Sequence, residues 1–137
     1  MELAPGLLAE LRVVVGEADT AIAAGSGDVP VLATPRLLAL AEAASVAAIA
    51  PHLATELTSV GTAASLEHRR ASPVGAEIVV EAELTEVAGR RLVFSFIVRH
   101  SPSGPGAEAE EDLVVGAGTL ERVVVDRERF LARAAGQ

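Results

Sequence analysis

The 137-residue chain has no cysteine, lysine, tryptophan or tyrosine, and only three phenylalanines. The missing cysteine excludes disulfides, thiolate metal sites and cysteine nucleophiles. The missing lysine excludes Schiff-base chemistry and the lysine of a phosphate-binding loop. All eleven basic residues are arginine, set against 19 acidic ones for a formal charge of −8. That balance argues against a non-specific nucleic-acid binder or a basic membrane-surface helix, so neither nucleic acid nor membrane is expected as a partner. Long apolar runs are absent too. The longest stretch without Asp, Glu, Lys or Arg is the thirteen residues Ala43 to Thr55, short of the ~20 that a spanning helix needs. The opening Met1 to Pro5 lacks the basic region of a secretory signal, and a cytoplasmic location is the expectation.

Half of the residues are hydrophobic, enough for one core, and a single domain over 1–137 is expected. The β-branched run ending Leu7 to Val15 reads as a strand, and Gly16 to Pro30, with Gly25-Ser26-Gly27-Asp28, as a loop. Thr34-Pro35 predicts a helix start, with the threonine hydroxyl at the N-cap and proline at N1. The helix runs through Leu37, Leu40, Ala41, Ala44 and Ala48 towards Pro51, apolar on most faces except at Glu42. From Thr58 the period becomes two, and Val60, Thr62, Ala64, Leu66 and His68 share one face. Glu77 to Val87 and Arg91 to Arg99 alternate across a tight turn at Ala88-Gly89. Ser101 to Asp112 reads as a solvated acidic loop, Leu113 to Val125 as a strand, and Asp126 as the start of a short terminal helix. This order predicts an α+β domain, a curved antiparallel sheet of about five strands around one long helix.

The candidate chemistry lies with Thr34, Glu42 and His68. Taken singly, the threonine is an N-cap, the glutamate a partly exposed helix residue, and the histidine a core or interface side chain satisfied by neighbours. Taken together, a helix packed on the sheet brings Glu42 and His68 near one another. A carboxylate beside an imidazole raises its basicity and fixes its tautomer, as general-base catalysis requires. Thr34 and Glu42 are eight positions apart on one helix, about 12 Å, so both can hardly touch one imidazole from one chain. Either a second subunit completes the site, or the threonine only caps its helix.

Six segments, in this order, resemble the hotdog-fold thioesterases of the fluoroacetyl-CoA thioesterase type. They are Val31-Leu32-Ala33-Thr34-Pro35, Leu40-Ala41-Glu42-Ala43-Ala44, Ser59-Val60-Gly61-Thr62-Ala63 through Glu67-His68, Ala71-Ser72-Pro73-Val74-Gly75, Gly89-Arg90-Arg91-Leu92 and Gly118-Thr119-Leu120-Glu121-Arg122. The resemblance implies a hotdog fold and cofactor-free hydrolysis of acyl-CoA, with no metal. It places the catalytic threonine, glutamate and histidine on Thr34, Glu42 and His68, and it implies a homodimer, or a higher oligomer of dimers, with sites at the interface. It also puts the glycine near the acyl group on Gly61 and the motif arginine on Arg122. A site for polyanionic CoA in so acidic a chain must gather arginines locally. Arg69, Arg70, Arg90 and Arg91 are candidates, with Arg36 in the helix's first turn. The segment ahead of Thr34 is shorter than the family's and carries none of its lid phenylalanines, so fluoroacetyl specificity does not follow. A non-catalytic acyl-CoA-binding dimer is the alternative that the same residues leave open.

Overall fold

A computed structural model describes residues 2–101 and 113–136. The elements are β1 (Leu8–Val14), a short α1 (Ala21–Ala24), the long α2 (Thr34–Ile49), β2 (Leu57–His68), β3 (Glu77–Ala88), β4 (Arg91–His100), β5 (Val114–Asp126) and α3 (Arg127–Ala134). The five strands form one sheet in the order β1-β3-β4-β5-β2, with every neighbouring pair antiparallel. This is the expected α+β arrangement of a curved sheet around one long helix. The acidic loop read between Ser101 and Asp112 lies, beyond Ser101, outside the described residues.

The helix α2 buries Leu37, Leu40, Ala41, Ala44, Ser45, Ala48 and Ile49, the i, i+3, i+4, i+7 spacing of a stripe facing a core. Opposite it stand Ile78, Val80, Ala82 and Leu84 of β3, Leu92, Phe94, Phe96 and Val98 of β4, and Leu120 and Val124 of β5. Fully burying one such side chain contributes about 1.5–3 kcal/mol relative to leaving it in water. The alanines let the helix lie close. No helix among the described residues is long and apolar enough to cross a membrane.

Two local expectations need correction. The segment 16–30 is not all loop. Thr20 accepts from the Ala23 N–H at 3.2 Å, and Gly25, with φ at 71°, ends the single turn of α1. A hydroxyl cap and a left-handed glycine suffice to close even four residues. The face of β2 also changes along its length. The register against β5 shifts between Gly61 and Ala63, leaving Thr62 as an extra residue. Gly61 pairs with the buried Arg122, Ala64 with Leu120 and His68 with Gly116. Because of the bulge, Gly61 lies on the same helix-facing side as Ala64, Leu66 and His68, whereas strict alternation would put it on the other. A side chain on Gly116 would meet Leu37 of α2, which confirms which side this is.

Candidate active site

Thr34 and His68 meet within one chain. The Thr34 hydroxyl lies 2.8 Å from Nδ1 of His68, joining the first turn of α2 to the last residue of β2. The threonine is not the N-cap. Ala33 holds that position with extended backbone, and Thr34 sits one place inside with its hydroxyl turned to the imidazole. Burial pushes the His68 imidazole below its ordinary 6.5, opposed in part by the main chain of Arg70. Its other nitrogen, Nε2, is enclosed and has no hydrogen-bond partner among the described residues. Polar atoms this well covered nearly always have one. A cleft of about 330 Å³ opens beside the pair, lined by Val29, Val31, Arg69 and Arg70 among others. Ser72 pins the cleft's rim. Its backbone carbonyl accepts from the Leu32 N–H, and its hydroxyl lies 2.8 Å from Nε2 of His100, which gives that histidine a structural post.

Glu42 is elsewhere. Its carboxylate accepts from Nη1 of Arg122 at 3.1 Å, and the expected approach to His68 is not made within the chain. From Gly61, under the carboxylate, to His68 the strand runs about 20 Å at ~3.3 Å per residue, the bulge discounted. Arg122, 8% exposed, turns its other two nitrogens to the Ser59 hydroxyl and carbonyl, each at 2.9 Å. Burial lowers its pKa, and the Glu42 charge works against that. A Cβ on Gly61 would come within 2.6 Å of the Glu42 carboxylate oxygen, so the absent side chain is what lets the carboxylate lie on the strand. Within one chain the imidazole–hydroxyl pair and the carboxylate therefore stand apart.

A family profile described as fluoroacetyl-CoA-specific thioesterase matches residues 15–128. The chain belongs to the fluoroacetyl-CoA-specific thioesterase family. The fluoroacetyl-CoA thioesterase of Streptantibioticus cattleyicolor is 38% identical over 103 residues, which is 75% of this chain and 67% of that protein. Among solved structures, a point mutant of the fluoroacetyl-CoA-specific thioesterase superposes with a TM-score of 0.83 at 29% identity, covering 98% of this chain and 97% of that one. A thioesterase superfamily member from Thermus thermophilus superposes at 0.82 with 19% identity, covering 98% and 92%, and shows the shared hotdog fold. The chain is therefore an enzyme of a thioester-hydrolysing family.

The remaining candidates of this thioesterase chain divide by partner. Arg69 donates to Glu67 at 2.9 Å and lines the His68 cleft with Arg70. Arg36 is held by Asp19 at 2.8 Å, and Arg91 by both Glu121 and Glu86. Glu121 is itself held below the usual carboxylate range, first by the Thr62 hydroxyl of the bulge and then by Arg91. The pairing of Arg122 with Glu42, eighty positions apart in sequence, had no local signal. The motif containing Arg122 was its only mark.

Proposed function

We propose that the chain hydrolyses acyl-CoA thioesters at two identical sites of a homodimer, each formed by Thr34 and His68 of one protomer and Glu42 of the other. The observation that carries this is the separation just described, with His68 at one end of β2 and the carboxylate of Glu42, carried by α2, over Gly61 on the same face but too far away to meet it. The strand β2 lies at the edge of the sheet, twelve residues long, and its stretch from Gly61 to Ser65 is exposed. A long edge of small residues is a template for pairing. Suppose two copies pair antiparallel about Ser65. Residues directly opposite then share a face, and Leu66 stands across from the partner's Ala64. Counting the bulge as one extra residue, His68 stands across from the partner's Gly61, where the partner's Glu42 lies. The orphaned Nε2 of His68 supports such a neighbour.

In this site His68 takes a proton from the nucleophile, and the 2.8 Å contact favours the Thr34 hydroxyl over water. The oxygen attacks the thioester carbonyl carbon, the C–S bond breaks, and the imidazolium returns its proton to the CoA sulfur. Water, deprotonated in the same way, then releases the carboxylic acid from threonine. This reading assigns the oxyanion to backbone N–H groups in the first turn of α2, where Pro35 has none to give, and at the partner's Gly61. Arg122 acts through Glu42 and positions it. The test is thiol release from a panel of short, branched and aromatic acyl-CoAs by the purified protein. Steady turnover of at least one is expected; saturable binding with no release from any would overturn the reading.

A further inference from the structure

We infer that Ser72 is a positioning residue for the Thr34–His68 pair, its hydroxyl tethered to His100 of β4 so that its carbonyl keeps the segment leading to Thr34 within reach of the imidazole. The consequence for turnover rests on the hydrolase reading above. The effect on the contact itself does not.

A short ring of chain brings the pair together. Ser72 follows His68 by four positions, and Leu32 precedes Thr34 by two. Two hydrogen bonds close the ring, one from the Leu32 N–H to the Ser72 carbonyl at 2.8 Å, the other between the Thr34 hydroxyl and Nδ1 of His68 at 2.8 Å. The His68 side is fixed from outside. The N–H groups of Arg69 and Arg70 both donate to the Val115 carbonyl of β5, at 2.7 and 3.2 Å. On the Thr34 side, Ala33 donates to the Asp19 carbonyl at 2.9 Å and the Val31 carbonyl accepts from Ala21 at 2.8 Å. Those bonds tie residues 31–34 to the segment before them, not to the loop that leaves His68. The bond to Ser72, in the antiparallel bridge of Val31 with Pro73, makes that link.

Two features make the direction of the Ser72 carbonyl depend on its side chain. Pro73 comes next, and a proline pushes the residue before it into extended backbone. With the backbone so confined, an anchor on the side chain aims the carbonyl. That anchor is buried. Ser72 is 0% exposed, and its hydroxyl lies 2.8 Å from Nε2 of His100, which stands across from Ile78 at the end of β4. A hydroxyl at such depth is held to its partner because leaving it unpaired is costly.

The experiment follows the His68 ring nitrogens by NMR with isotope-labelled histidine, and kcat and KM by thiol release, in the wild type, S72A, H100A, H100Q and T34V. T34V keeps the threonine's shape without its hydroxyl, so it marks the His68 signal of a broken contact. In S72A and H100A the Nδ1 signal is expected to move towards its T34V position. There kcat should fall about tenfold or more, since a misplacement of ~1 Å is costly in a reacting pair. KM should change by less than about twofold, as for an interaction that serves the transition state. H100Q carries its amide nitrogen as many bonds from Cα as Nε2 stands, and should return both the signal and kcat to near the wild type. Should S72A fail to fold, H100A and H100Q carry the comparison, because His100 is only partly buried. A His68 signal unmoved in H100A, a raised KM at unchanged kcat, or an H100Q as impaired as H100A would overturn the positioning role while leaving the hydrolase reading intact. If the wild type releases no thiol from any acyl-CoA, the hydrolase reading fails, and the NMR signals then decide by themselves whether Ser72 sets the contact.

Discussion

At the His68 end of β2 an imidazole meets a neutral hydroxyl and keeps a covered nitrogen with no hydrogen-bond partner among the described residues, whereas at the Gly61 end a carboxylate is held by a guanidinium that Ser59 fixes twice. Among the described residues no carboxylate meets the imidazole at the first end, while at the second a carboxylate is held in place by Arg122. On the proposed reading the difference divides the catalytic set along the length of the strand, and pairing of the β2 edge with its own copy reunites it. It also assigns the two residues most easily taken for structure. Arg122 holds the acid in place, and Gly61 leaves room for it.

The comparison can be broken at either end. Removing the base, as H68A, is expected to lower kcat/KM by about 10²–10⁴-fold, the usual worth of a positioned general base, read by thiol release. Disturbing the acid without removing it is milder. In G61A the new methyl group displaces the Glu42 carboxylate, whose far end can swing aside, so the melting temperature should hardly move. Activity should fall by about 10-fold or more because a misplacement of ~1 Å is costly in an assembled site. An unchanged rate would mean that the carboxylate's place over Gly61 is irrelevant. The smallest effect concerns titration. Burial alone holds the His68 imidazole below 6.5, and a partner's carboxylate beside it raises that value. By NMR, His68 should therefore titrate lower in E42Q than in the unaltered protein. The sign for stability follows. With the folded value depressed, the unfolded chain binds more protons between that value and 6.5, so E42Q should lose stability as pH falls through this window and level off below it.

Much of this was legible in the residues. The alternation of Ile78, Val80, Ala82 and Leu84 against Leu92, Phe94, Phe96 and Val98 marks two strands with one buried face, and Gly89, with φ at 63°, turns between them. The stripe of α2 was legible for the same reason, since periodicity is local. The bulge at Thr62 was not. It depends on how β2 meets β5, nearly sixty positions later, and it moves Gly61 to the other face from the one alternation assigns. The N-cap slipped by one because Thr34-Pro35 carries the pattern of cap and first turn, while the hydroxyl finds a better partner in His68. Capping is one use of a threonine oxygen, and tertiary contacts decide between uses.

Complementation between two inactive variants tests the divided site most directly. H68A and E42Q are each expected to be inactive alone. When the two are unfolded and refolded together in equal amounts, half of the dimers should be mixed, and each mixed dimer should contain one intact Thr34–His68 pair facing one intact Glu42. Activity should then return to about a quarter of the wild-type level, as two-fold symmetry requires. If base and acid worked within one chain, every site in the mixture would lack one of them, and a mixture as inactive as its two components would contradict the account.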